Sequence, residues 1–258
     1  MIGQTRIAAA ASALAPIAAL LAGWEILTRT GLVSTQVLPR FSSVGVAAVD
    51  LAVSGTLGQH LVVSLYRALG GLALSLVAGV LLGFAMATSR PAERFFDPLV
   101  SLLYPLPKTA LVPLTMVWLG VTDKAAILVI FLAGLLPIVV NTYHGVRSVD
   151  RVLIWSARSL GTSERRLLRR VVIPASLPYI WNGLRIALPI SFIVVISVEL
   201  VASKVGIGNL INGYGSLGVY DYMFATILLF VAVAFVADRV TVGLGRRLLR
   251  WHAETEAS

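Results

Sequence analysis

The 258-residue sequence has no cysteine, which excludes disulfides, thiol nucleophiles and Cys-ligated metal. Histidine is almost as scarce. His60, His144 and His252 lie far apart and form no metal-binding spacing, so no metal site is expected. Charged residues make up 13% of the chain, against about a quarter in soluble domains. No Gly-rich phosphate loop leads into a Lys, no Ser/His/Asp set shares a face, and no paired carboxylates sit together inside an apolar run. The chain is therefore read as a non-enzyme without a cofactor. What it has in abundance is oil: 58% of residues are hydrophobic and the mean hydropathy is +0.90. That excess points to a bilayer as the solvent.

Spanning about 30 Å of hydrocarbon takes roughly 20 apolar residues. Six runs qualify: about Ile7–Leu27, Leu61–Thr88, Leu99–Leu119, Ala125–Tyr143, Leu184–Val201 and Met223–Leu244. The expected fold is thus all-α: one polytopic domain of six transmembrane helices. The Ala-rich opening after Arg6 also fits a secretory leader. Its length and the Trp24-Glu25-Ile26-Leu27 segment argue for a retained span instead. Between the first two spans, Asp50–Leu57 is expected to form part of an interfacial helix, with Gly55 and Gly58 as turn residues.

The net charge of +9 and pI near 10.5 raise nucleic acid as a partner. The distribution of the charge answers that. With the N-terminus inside, 14 basic residues fall in inner segments, Lys108 among them, and 4 fall outside. Such a bias places both termini and the long loop between spans four and five in the cytoplasm. A nucleic-acid partner is not needed.

Gly71, Ser75, Gly79 and Gly83 recur at four-residue spacing, a pattern that lets helix backbones approach in lipid. Packing within the subunit explains it; a subunit interface or a translocation path is the sharper alternative. Pro105, Pro107, Pro113, Pro137 and Pro189 interrupt spans three to five. Each removes a backbone hydrogen bond, and the freed carbonyls must find partners in protein or a wet cavity. Glu199 is a carboxylate inside a span. It is either functional, or it snorkels outward or pairs with Arg67 or Arg185.

The inner loop 150–178 is polar and strongly basic. Asp150–Ser159 fits a short helix with Asp150 as N-cap and Gly161 as its stop. Small Ala157 and apolar Leu160 suit insertion into a groove. A plain solvated loop fits the same residues, and these features alone do not choose. A second helical stretch, Ser163–Val172, carries Arg165, Arg166, Arg169 and Arg170 and is expected to end at Pro174. Attraction to anionic lipid accounts for that run of arginines.

Trp155-Ser156-Ala157, Gly161, nine residues, then Val171-Val172-Ile173-Pro174 resembles the EAA loop of ATP-binding-cassette importer permeases. Trp155 and Ser156 depart from the Glu and Ala typical there. Other segments are similar to the permeases for nitrate, taurine and aliphatic sulfonates, in order and spacing. They include His60 with Ser64-Leu65-Tyr66-Arg67, Tyr104-Pro105-Leu106-Pro107-Lys108, Trp118-Leu119-Gly120, Pro137 with Asn141-Thr142, and Gly206-Ile207-Gly208. Val121-Thr122-Asp123-Lys124 and Ser203-Lys204-Val205 depart from that pattern on the expected outer side.

The resemblance implies a MetI-like permease core over about 57–245, in the plasma (inner) membrane. Implied partners are a permease homodimer, two copies of a cytoplasmic ATP-binding subunit and an extracytoplasmic substrate-binding protein. It assigns ATPase coupling to Ala157, Arg158, Leu160, Gly161 and Pro174. Glu199 and Asn141 become candidates for the translocation path. The implied cargo is a small anionic or zwitterionic solute. An ATPase-independent channel or secondary transporter would be expected to hold more intramembrane ionisable groups than this sequence does. A membrane scaffold would leave the prolines and the loop spacing unexplained.

Overall fold

The computed structural model describes residues 2–253, with side chains over residues 15–251, so Arg6 and His252 lie outside the described side chains. Among the described residues every regular element is helical. In chain order these are α1 (Ile2–Arg29), α2 (Phe41–Val53), α3 (Thr56–Thr88), α4 (Arg90–Leu103), a 3-10 turn at Lys108–Leu111, α5 (Val112–Leu119), α6 (Asp123–Arg147) and α7 (Arg151–Ser159). Then follow α8 (Glu164–Leu167), a π turn at Leu168–Val172, α9 (Ile173–Ala202), α10 (Ile207–Ser216), α11 (Tyr220–Leu248) and α12 (Arg250–Ala253). Among the described residues, α3, α6, the run Glu164–Ala202 and α11 are long and apolar enough to cross a membrane, and α4 with the 3-10/α5 segment adds a fifth bent by 93°. Helix α1 covers the first expected span.

At the centre, α6 packs along both α3 and α9. The small-residue stripe of α3 makes this contact close. A Cβ on Gly71 would strike the Ile130 side chain, one on Gly79 the Ile138 side chain, and one on Gly83 the Val139 carbonyl and Thr142. Partners advance together, 71 with 130 and 79 with 138, so α3 and α6 run parallel with their backbones in contact. Ser75 donates to the Phe131 carbonyl at 2.8 Å across the same seam. The stripe is therefore used for packing within the subunit. Val129, Ile130, Ile138, Ala187 and Val195 form the dry middle of the main core.

Three local expectations are corrected, and one short helix is added. The third span is not a kinked rod, because its two halves turn through a near right angle at Tyr104–Pro107. The helix near residue 50 is α2, which begins at Phe41 and stops at Val53. Gly55, with φ of 75°, makes the break, while Gly58 lies inside α3 as a helical residue. Pro174 does not end its helix: α8, the π turn and α9 form a 39-residue helical run from Glu164 to Ala202. A proline lacks the N–H and crowds the carbonyl four residues back, and the wider π turn just before Pro174 relieves both. Finally, α10 is a short helix absent from the expectation. It folds back beside α9 after Gly206, where φ is 139°.

Candidate functional site: an exposed short helix and a buried charge clamp

Helix α7 is built as its local sequence directs. The Asp150 carboxylate accepts from Val152 N–H at 2.8 Å, satisfying one orphan donor. At the other end Gly161 is left-handed, with φ of 74°. Thr162 N–H reaches the Ala157 carbonyl at 3.1 Å and Gly161 N–H the Arg158 carbonyl at 2.9 Å. This pair of bonds is a Schellman cap. The helix is amphipathic in an unusual sense, because both sides carry apolar groups. Ile154 and Ala157 face inward onto Val146, Val149, Leu167 and Val172. Val152, Leu153, Trp155 and Leu160 face out, Leu160 at 85% exposure. The Arg158 guanidinium spans to Glu164 at 3.0 and 3.2 Å, tying α7 to the start of the Glu164–Ala202 run.

Of the residues expected to act together here, Leu160 and Gly161 stand at the exposed tip, where a Cβ on Gly161 would meet only open space. Ala157 lies on the inner side, as part of the helix's seat. Pro174 stands in the first turn of α9.

At the opposite end of the bundle lies a polar knot. Glu199 has a fully buried side chain, and its carboxylate meets Arg67 Nη1 at 2.8 Å. Ser64 donates to Glu199 Oε2 at 2.7 Å and accepts from Ile207 N–H at 2.9 Å. Gly208 N–H donates to Glu199 Oε2 at 3.0 Å, so the acid also caps the N-terminus of α10. Arg67 continues to Asp123 at the start of α6, to the Ser203 hydroxyl and to the Val205 carbonyl. His60 Nδ1 accepts from Gly206 N–H at 3.0 Å. A side chain at Gly206 or Gly208 would run into Glu199 itself. The knot thus joins α3, α6, α9 and α10. Of the alternatives for Glu199, pairing with Arg67 is the one observed. The missed members (Ser64, Asp123, Gly208) left one trace in the sequence: His60, Ser64 and Arg67 recur at i, i+4, i+7 on one helix face.

Asn141 is half-buried on α6. Its amide donates to the Pro137 carbonyl one turn back at 2.8 Å, and its oxygen accepts from Asn182 at 2.9 Å. Beside Pro137, the bend at Tyr104–Pro107 opens a cavity of about 240 Å³. Lys108 lines it, so this residue does not sit in an inner loop, and the charge bias becomes 13 to 4.

The described residues thus form a helical bundle with long apolar helices, one broken span and an exposed apolar helix at one end. Its fold matches solved importer permeases. The inward-facing MetNI methionine ABC transporter gives a TM-score of 0.58 over 75% of this chain and 94% of that one, at 20% identity. The family model for the binding-protein-dependent transport system inner membrane component matches residues 75–250, and the chain belongs to that family. It is 32% identical over 239 residues to the putative aliphatic sulfonates transport permease protein SsuC of Bacillus subtilis (strain 168), covering 93% of this chain and 87% of that protein. It is 33% identical over 245 residues to the taurine transport system permease protein TauC of Escherichia coli (strain K12), covering 93% and 89%. The chain is accordingly an ABC transporter permease, a multi-pass protein of the inner membrane. Its family implies an ATP-binding subunit and a substrate-binding protein as partners.

Proposed function

We propose that this chain is the permease of an importer for small sulfonate-like anions, driven through α7 by a cytoplasmic ATPase. The observation that carries the coupling assignment is the seating of α7. Its inner face is fixed to the bundle core by Ile154 and Ala157, while its outer face leaves Trp155 and Leu160 bare to the aqueous side. Bare apolar groups on a rigid, doubly capped helix suit a partner's groove. Arg158, Gly161 and Pro174 then shape and anchor that surface. The 13-to-4 charge bias supports an orientation with both termini and α7 in the cytoplasm. In this reading six spans per subunit, two permease copies and two ATPases make the transporter, and an extracytoplasmic binding protein delivers cargo. The sulfonate relatives support the substrate class.

The decisive experiment is ATP-driven uptake of taurine and butanesulfonate into proteoliposomes holding the permease, its ATPase and its binding protein. Uptake is expected only with ATP and all three components. Equal uptake without the ATPase would overturn the reading in favour of a channel.

A further inference from the structure

We infer that Lys108 is an anion-contact residue at mid-membrane, placed by the break in the third span. The inference rests on the importer reading above and specifies one of its binding groups.

Depth comes first. The cavity holding Lys108 is lined by Pro137 of α6 and by Ile190 and Val194 of α9. Pro137 lies ten or more residues from either end of α6 (Asp123–Arg147), which is about 15 Å or more of helix. An ammonium at that depth is costly unless it is paired or solvated in a cavity. Among the described residues no carboxylate lies within ion-pairing distance of Lys108. Its partners are two backbone carbonyls, Leu103 at 2.8 Å and Tyr104 at 2.7 Å. Both lie where the helix stops before Pro105 and Pro107, and the Leu103 carbonyl also accepts from Leu106 N–H at 3.3 Å. They are neutral, and among the described residues the only other partner is the Tyr104 ring, 5.9 Å from Nζ, so no anion balances the charge and one of the three ammonium protons is left over.

The walls then select the ligand. Apart from Lys108, the polar side chains lining the cavity are Tyr104 and Thr109, and the rest are apolar. One cation, two hydroxyl-bearing neighbours and an otherwise dry wall suit a single small oxyanion with a short apolar tail. A volume of 240 Å³ is below the usual range for drug-sized ligands. A carbonyl cap alone would explain the two bonds. It would not explain why a full charge is used at mid-membrane, where any neutral donor would do.

The test keeps the two roles apart. Lys108→Gln retains a donor for the carbonyls and removes the charge. Ile190→Glu places a carboxylate across the cavity and leaves Lys108 intact, with Ile190→Gln as its neutral control. Each variant is assembled with the ATPase and binding protein, and ATP-driven uptake of butanesulfonate is measured. Uptake by Lys108→Gln and by Ile190→Glu is expected to fall about tenfold or more, from the loss of a charge-assisted contact, while Lys108→Arg and Ile190→Gln keep most of it. Should Lys108→Gln not assemble, the Ile190 pair decides alone. Equal uptake by Ile190→Glu and Ile190→Gln, or near wild-type uptake by Lys108→Gln, would overturn the anion site. Failure of the wild-type complex to carry taurine, butanesulfonate or nitrate would overturn the underlying importer reading instead.

Discussion

Arg67 and Glu199 are 132 positions apart in the chain and meet at 2.8 Å, with side-chain exposures of 9% and 0%. The pair holds α3 against α9 and positions the start of α10. Breaking such a pair by removing one partner costs more than the pair is worth, because the other charge stays buried.

Glu199→Ala is therefore expected to destabilise the protein by about 3–5 kcal/mol, since Arg67 keeps only the half-exposed Asp123 as an ionic partner. Thermal melting of detergent-purified protein reads this. The double variant Arg67→Met, Glu199→Leu should recover a large part of the loss. A double variant less stable than Glu199→Ala would show that Arg67 has partners that matter more.

On α3 two adjacent glycines should behave oppositely. Gly71→Ala forces a methyl into Ile130 and is expected to cost about 1–3 kcal/mol from overpacking. Gly70→Ala finds ordinary contact with Ile127 at 3.6 Å and gains up to about 1 kcal/mol from the stiffer helix. Melting temperatures moving in the same direction for both would contradict the seam geometry.

The two faces of α7 also separate. Leu160→Asp leaves melting unchanged, because the side chain is already in water, yet lowers co-purification of the ATPase subunit. Gly161→Asp strains the left-handed cap and should lower both uptake and recovery of the ATPase. Ala157→Arg, by contrast, should lower the melting temperature, as it pushes a charge into the seat of the helix. A destabilised Leu160→Asp would place Leu160 in the core.

Asp150→Ala removes the N-cap of α7, a loss of about 1 kcal/mol confined to that helix. Hydrogen exchange over 151–159 should quicken several-fold while α6 stays protected. Unchanged exchange would mean the cap is redundant.

Much of this was legible in the sequence, because local rules govern it. The long apolar helices follow from run length, and α7 follows from Asp150 at one end and Gly161 at the other. The knot was only half legible. Glu199 stood out as an acid inside a span, and Arg67 was one of two possible partners. Ser64, Asp123 and Gly208 joined it only through contacts the chain makes on folding. The right-angle break at Tyr104–Pro107 was hidden for another reason. Two prolines announce a kink, but its size depends on who satisfies the carbonyls there, and here Lys108 does so from just downstream. The same oversight put Lys108 among the inner charges. Pro174 misled because a π turn, which no local residue pattern advertised, carries the helix through it.

That uninterrupted helix from Glu164 to Ala202 has a mechanical meaning. At 1.5 Å per residue it reaches about 58 Å. One end is latched to α7 through Arg158 and Glu164, and the other carries Glu199 into the clamp. The seat of α7 and the Arg67–Glu199 clamp thus stand on one helical run. In the proposed importer, a tilt imposed at the α7 end displaces the clamp through that run.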